Sequence, residues 1–405
     1  MQRLYYAFLV ILLWVSCKSS KMVGPLITDE ALPLDEKPIV DSLVQKQAPV
    51  IDSFATATIS IVGDLMSHQS QINNAKVNHT AYNYNPSFAA IKEYLSSADF
   101  TIGNLETTFA GPDQEYTGYP GFNTPDAFAE ALKNAGFDML VTANNHSTDT
   151  GDKGLLRTLS VLEKFSIAHT GTYRTQQDRD SIRIYNLNGI KLAILNYTYG
   201  VNGSLPSQPY MLNLIDTALI RQDIIKARST GSDIVMVYYH YGLENEAEPT
   251  KNQIRQVEFA KSAGADIIIG AHSHVLSRME FFKADTLAKV DSGFVAWGLG
   301  NFISNQYWRY TDAGVVLDLT IKKNLTTDSV FIVGATYLPT WVYRARSPLM
   351  KHHVVLPAQW SELDSLPNYI TNDQLVLMKQ ALEDTKQLIG EQDKRIAIRA
   401  PKLQE

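Results

Sequence analysis

Residues 266–274 read Asp-Ile-Ile-Ile-Gly-Ala-His-Ser-His. The run Ile267, Ile268 and Ile269 has the length and branching of a strand buried on both faces. It ends at Gly270-Ala271 and delivers His272 and His274. Two imidazoles two residues apart, directly after a buried strand, are seldom required by packing. In open α/β sheets ligands bind at the carboxyl ends of the strands. The stretch therefore predicts a site as well as a strand.

The same grammar recurs along the chain. Residues 58–62 form an apolar run stopped by Gly63-Asp64, and 98–102 lead into Gly103-Asn104-Leu105-Glu106. A strand over 137–142 delivers Asn144-Asn145-His146, and one over 234–239 delivers His240. Further strands are predicted over 191–197, 295–297, 314–320 and 329–337. Thr124-Pro125-Asp126 offers a cap, a first-turn proline and an acid for a helix over 127–135 that stops at Gly136. Thr250 and Gln253 make a capping box for a helix through Ala263, closed by Gly264. Strands alternating with helices define an α/β chain with a parallel or mixed sheet. A charged helical segment over 373–392 sets 346–405 apart as a helical extension of a domain spanning 58–345.

With 405 residues and 45% hydrophobic content, the chain can bury a full-sized core. Its 36 basic and 42 acidic residues give a charge of −6 with no long basic run, which argues against nucleic acid as a partner. The single cysteine, Cys17, follows a basic start at Arg3, an apolar stretch over 4–15 and a small Ser16. That stretch falls short of the roughly 20 apolar residues of a spanning helix and fits a signal peptide over 1–16. A small residue before a lone cysteine here resembles a lipoprotein processing site, with Cys17 lipidated. Trp14, where that pattern usually has leucine, departs from it; an ordinary cleaved signal or an uncleaved anchor is the alternative. Residues 17–57 carry Pro25, Pro33, Pro38 and Pro49 without a sustained period and read as a flexible tether. The expectation is an exported lipoprotein anchored to a membrane of the cell envelope.

Of nine histidines, His146, His240, His272 and His274 follow strands. With Asp64, Glu106 and Asn145 they form a nitrogen and oxygen donor set without thiolate, which suits manganese, zinc or iron better than calcium or magnesium. The count fits one or two divalent ions. In the two-ion arrangement Glu106 bridges, with Asp64 and His274 on one side and Asn145, His240 and His272 on the other. Two ions about 3.5–4 Å apart can activate water and clamp the oxygens of a reacting group. His146 then stands beside the site, free to act as a general acid. Each element alone has a plainer reading. Gly63-Asp64 and Asn144-Asn145-His146 could be turns that satisfy backbone groups, and His240 a hydrogen-bonded structural histidine. Convergence at five strand ends favours the metal site.

In order, Asp64, Glu106, Asn145-His146, His240 and Gly270-Ala271-His272-Ser273-His274 resemble the motif series of the metallo-dependent phosphatase (calcineurin-like) fold. That resemblance implies a layered α/β sandwich with mixed sheets and metal ligands at the carboxyl ends of strands. Gly63-Asp64-Leu65-Met66, Asn104-Leu105-Glu106, Ala143-Asn144-Asn145-His146, His240-Tyr241-Gly242-Leu243-Glu244 and Leu299-Gly300-Asn301-Phe302 look more closely like the CapA-type poly-γ-glutamate capsule-synthesis family. The likeness extends over about 58–343. It implies His146 and Asp149 as an acid and its orienting carboxylate, with Glu244 and Asn104 as possible additional site residues. The loop over 198–203 is read as a wall of the site or as a simple turn. Met66 stands where phosphatases place a metal-binding histidine, and Glu106 where they use aspartate; both fit the capsule family. Two functions follow. One is a metal-dependent hydrolase or transferase acting on an amide or phosphate ester of an anionic cell-envelope polymer or its precursor, alongside other capsule-synthesis proteins. The other is a non-catalytic protein that binds or exports that polymer.

Overall fold

The structure is a computed structural model that describes residues 53–390 and 393–401. The signal segment, Cys17 and the tether up to residue 52 lie outside the described residues. Strands β1 (Phe54–Leu65), β2 (Phe100–Leu105), β3 (Met139–Val141) and β4 (Ala168–Thr170) run parallel and open the first sheet. A second sheet follows from β5 (Ile184–Leu187), β6 (Ile190–Thr198), β7 (Ile234–His240), β8 (Ile267–Ala271), β9 (Met279–Lys283) and β10 (Ser292–Ala296). The chain then returns to the first sheet with β11 (Asn301–Ile303), β12 (Ala313–Asn324), β13 (Val330–Tyr343), β14 (Val354–Pro357) and β15 (Ile396–Ile398). The strand orders are β14-β13-β12-β1-β2-β3-β4, with β11 beside β1 and β15 beside β13, and β5-β6-β7-β8-β10-β9. Both sheets are mixed: parallel strands at the centre of the second carry antiparallel β5 and β9 at its edges.

The period-2 alternation of side chains builds the layers. Ile59, Ile61, Ile102 and Leu317 of the first sheet meet Ile194, Met236, Tyr238 and Ile269 of the second in one buried core. The intervening residues face outward under helices. Val62, Leu65 and Leu140 pack with the helix Ala127–Ala135, and Val235 and Ile268 pack with the helices Thr217–Ser229 and Lys251–Ala263. Ile268 thus buries one face of β8 while Ile267 and Ile269 bury the other, which explains the uninterrupted isoleucine run. The result is a four-layer α/β/β/α sandwich.

The helix Lys251–Ala263 has the expected Thr250–Gln253 capping box and ends at Gly264 with φ of 100°, a left-handed conformation that suits glycine. Other details differ from the sequence reading. β1 begins at Phe54, since residues 54–57 pair with the end of β12; Ala55 and Ala57 are too small to advertise the strand. Thr124 does not cap the helix Ala127–Ala135. Its hydroxyl bonds Thr107 at 2.7 Å, and the carboxylate of Asp126 is held by Arg157. Residues after 345 are built into the first sheet: β14 and β15 both pair with β13, and the helix Asn372–Ile389 packs Met378 and Leu382 against Trp341 and Leu356. Among the described residues no helix is long and apolar enough to cross a membrane.

Candidate metal centre

Asp64, Asn104, Glu106, Asn145, His146, His240, His272 and His274 are buried at one edge of the sandwich, with Asp149 half-buried beside them and Glu244 exposed. Asp64 lies near the end of β1, Asn104 in β2 with Glu106 just past it, and Asn145 and His146 beyond β3. His240 closes β7, and His272 and His274 follow β8. Asn104 is the hub of the cluster. Its Nδ2 lies 2.8 Å from Asp64 Oδ1, 3.2 Å from His240 Nδ1 and 3.4 Å from Glu106 Oε2. His274 Nδ1 meets Asp64 Oδ2 at 3.0 Å, and His240 Nε2 meets Asn145 Oδ1 at 2.6 Å. His272 and His274 adopt φ of 91° and 58°. Such backbone conformations cost about 1–3 kcal/mol each and are kept where the surrounding structure enforces them. Here the segment is pinned by Asn245 N–H donating to the Ser273 carbonyl and by the Ser273 hydroxyl donating to the Val275 carbonyl.

Two groups of potential ligands share one carboxylate. Asp64, Glu106 and His240 form one, and Glu106, His272 and His274 the other, with ligand atoms within 4.8 Å of one another in each. Glu106 is the common member, the place expected of a bridge. Side-chain contacts follow the expected division: His274 lies on Asp64, while His240 lies on Asn145 with the His272 ring 4.8 Å away, closer than His272 is to His274 at 6.0 Å.

The electrostatics suit a cation. Burial first, then the Asp64 and Glu244 carboxylates, push the Glu106 carboxyl well above its usual range. Burial and the neighbouring imidazoles hold His240 well below its ordinary value, and burial lowers His272 to about 4. Both are therefore neutral at pH 7, the form that binds metal. Burial works against protonation of His274 too, but the Asp64 carboxylate outweighs it and raises His274. Glu106 Oε1 and His272 Nδ1 are enclosed without a hydrogen-bond partner among the described residues. Buried polar atoms normally have one. Orphaned oxygen and nitrogen donors aimed into a carboxylate–imidazole cluster fit a divalent ion.

Beside this cluster His146 Nδ1 bonds Asp149 Oδ2 at 2.7 Å, and the ring lies edge-on to Phe122 at 4.7 Å. Asp149 Oδ2 also accepts the Phe122 N–H at 2.7 Å. A cavity of about 860 Å³ opens here, lined by Asp149, Asp152, Asn202 and Glu244 among others, with no lysine or arginine in its lining. Glu244 is exposed at this rim and acts on Glu106 and His274 through its charge. Asn144 carried no role in the sequence reading, and Asn202 only a place in a loop read as a wall or a turn. Asn144 donates to the Asn104 side chain and the Leu105 carbonyl, at 3.2 and 2.7 Å, locking the β2 and β3 ends together. Asn202 links Asn145 and His146, at 3.3 and 3.4 Å, which makes the loop over 198–203 a wall of the site. Asn144 stands inside the quoted motif Ala143-Asn144-Asn145-His146, which was the available signal.

The layers and this donor set define a metallo-dependent phosphatase-like α/β protein. The family described as "Bacterial capsule synthesis protein PGA_cap" matches residues 58–306, and the chain belongs to that family. It is 30% identical over 281 residues to the capsule biosynthesis protein CapA of Bacillus anthracis, spanning 66% of this chain and 65% of that one. To the PGA biosynthesis protein CapA of Bacillus subtilis it is 25% identical over 297 residues, spanning 69% of this chain and 72% of that one. The chain thus spans about two thirds of these relatives. Among solved structures, the calcineurin-like phosphoesterase YfkN of Bacillus subtilis is similar with a TM-score of 0.42 and 14% identity, covering 83% of this chain and 99% of that one. The NAD nucleotidase of Haemophilus influenzae gives 0.45 and 16%, covering 86% and 58%. Neither likeness bears on what this chain does.

Proposed function

We propose that this protein is a metal-dependent hydrolase or transferase that acts on an amide or phosphate ester in a capsule polymer or its precursor, of the poly-γ-glutamate kind. The observation that carries the reading is Glu106: buried, shared by two ligand groups, and with Oε1 left unpartnered. Asp64, Glu106, His240, His272 and His274, with Asn145 alongside, would hold one or two divalent ions, Mn, Zn or Fe. Such an ion supplies Lewis acidity toward the reacting oxygen. The chain's own residues do the rest. Asn104 and Asn144 fix the ligands by hydrogen bonds. Asp149 accepts from His146 Nδ1 and so orients the ring with Nε2 toward Asn202. From Nε2 the imidazole delivers a proton to the departing oxygen or nitrogen.

The proposal extends to an exported protein anchored through Cys17 at the cell envelope, working with other capsule-synthesis proteins. A second reading, a non-catalytic protein that binds or exports the polymer, is favoured by the buried Met66 two residues after Asp64. Its thioether is a poor ligand for the ions named. His146→Ala separates the two. General acid catalysis is typically worth about 10²–10⁴-fold, so turnover of a phosphodiester or γ-glutamyl amide should fall by that order with metal content unchanged. The loss should shrink on substrates with good leaving groups. An unaffected rate eliminates the acid mechanism; metal-loaded protein that binds polymer but turns over neither substrate leaves the binding reading.

A further inference from the structure

Arg344 is the first residue past β13, and His353 the last before β14. Tyr343 and Val354 are paired across the hairpin, so Arg344 and His353 occupy the next opposed positions. Tyr343 and Val354 face the core beneath the helix Asn372–Ile389. By strand alternation, Arg344 and His353 face the other way. There Asn305 Oδ1 meets His353 Nε2 at 2.8 Å, and Asn305 N–H donates to His68 Nδ1 at 3.2 Å. His68 in turn packs on Phe122 at 5.2 Å, the ring that packs on His146. This pair is therefore joined to His146 by four successive contacts, through Asn305, His68 and Phe122.

Arg344 is 9% exposed, yet its guanidinium has no carboxylate partner or hydrogen bond among the described residues. One face lies over the Tyr307 ring at 5.1 Å. Asp312 is near enough to act on it, but accepts the indole N–H of Trp341 at 3.0 Å. Nη1 of Arg344 and Nδ1 of His353 are both enclosed and unpartnered. A buried guanidinium nitrogen with no hydrogen-bonded counter-charge is costly, and a native chain normally pairs it. Arg346 and Lys351 stand exposed on the same hairpin loop.

We propose that Arg344, with His353, is a receptor for an oxyanion of the substrate, a carboxylate or a phosphate, carried away from the reacting bond. The anion accepts from Arg344 Nη1. With His353 Nε2 donating to Asn305, Nδ1 is an acceptor, so a monohydrogen phosphate satisfies both groups and a carboxylate satisfies the first. The role as a substrate subsite rests on the proposed function; anion binding itself does not.

The test uses the full chain stripped of metal by chelation, titrated calorimetrically with inorganic phosphate and, separately, with sodium glutamate. At least one should bind, and Arg344→Gln should weaken it by about tenfold or more, the scale of one charged hydrogen bond. His353→Phe should weaken phosphate more than glutamate if the site takes phosphate, and neither if it takes carboxylate. Should Arg344→Gln fail to fold, Arg344→Lys keeps the charge without the fork and should still weaken binding several-fold. Absence of binding to stripped wild-type protein, or unchanged affinity in the folded Arg344 variants, overturns the proposal. Because the titration is done without metal, failure of the metal-centre reading leaves its outcome untouched.

Discussion

Replacing Glu106 with glutamine should change stability in opposite directions with and without metal. In metal-free protein the buried carboxylates of Asp64 and Glu106 present oxygens within 4.8 Å of each other. At an effective dielectric of ~20 that repulsion is worth about 3 kcal/mol. Glu106 relieves it by holding its proton to a raised pH, whereas the unfolded chain releases it near the ordinary 4.5. The penalty is therefore absent below that value, grows as pH rises, and is full above the raised value. Glu106→Gln removes it, so at a pH above the raised value the chelated variant should melt about 6 °C above chelated wild type, at about 2 °C per kcal/mol. With metal at about 1,000 times its Kd, wild type gains about 4 kcal/mol and the variant, without the shared ligand, far less. The order of melting temperatures then reverses. Thermal melts by circular dichroism with and without chelator, beside metal analysis of the same samples, make the measurement. The same order in both conditions refutes Glu106 as the shared ligand.

Three further outcomes are expected. His169, buried on β4 away from the site, is lowered to about 4 chiefly by burial. The unfolded chain takes up that proton first as pH falls below 6.5, so about 3 kcal/mol is lost by pH 4 and His169→Gln should flatten the acid limb of a denaturation series. Asp266 is fully buried, accepts the Val235 N–H at 2.7 Å and pairs with Arg228; Asp266→Ala should cost about 3 kcal/mol in urea melts with metal content unchanged. Cys17→Ala should release the protein from the membrane fraction or leave an uncleaved precursor, and wild-type protein found soluble and unlipidated removes the anchor from the proposal.

How far the sequence could be read follows from where the signal is local. β8 and the histidines after it were legible because burial on both faces demands an apolar run, and because polar residues at its end have no packing reason to be there. Continuation of β13 to Tyr343 was hidden by Pro339, which normally ends a central strand. The structure resolves this: β15 pairs only as far as Tyr337 and β14 starts at Thr340, so the missing N–H of Pro339 falls in the gap between them. The residues of the metal cluster were legible one strand end at a time. The hub role of Asn104 was not, since its contacts to Asp64, Glu106 and His240 depend on side-chain directions across both sheets. Arg344 was invisible for a different reason. An arginine in a sequence says nothing of the partner it lacks.

Charge distribution narrows the choice of bond within the proposed reaction. Asp64 and Glu106 bring two negative charges when ionised, while His240 and His272 stay neutral through burial. One divalent ion cancels the pair, and two leave a surplus of two positive charges. The cavity above adds Asp149, Asp152 and Glu244 without a basic side chain in its lining. The one-ion state thus leaves this region net negative when those carboxylates are ionised, and the two-ion state is balanced once the proton carried by His146 is counted. In the one-ion state a phosphodiester would bring its charge into that negative field, whereas an amide would arrive neutral. Negative groups elsewhere on an acidic polymer need counter-charge outside this mouth, and the hairpin with Arg344, Arg346 and Lys351 supplies it. On the proposed function, an amide at a one-ion cluster with a remote oxyanion at Arg344 would suit both regions at once, whereas a phosphate ester would suit only the second.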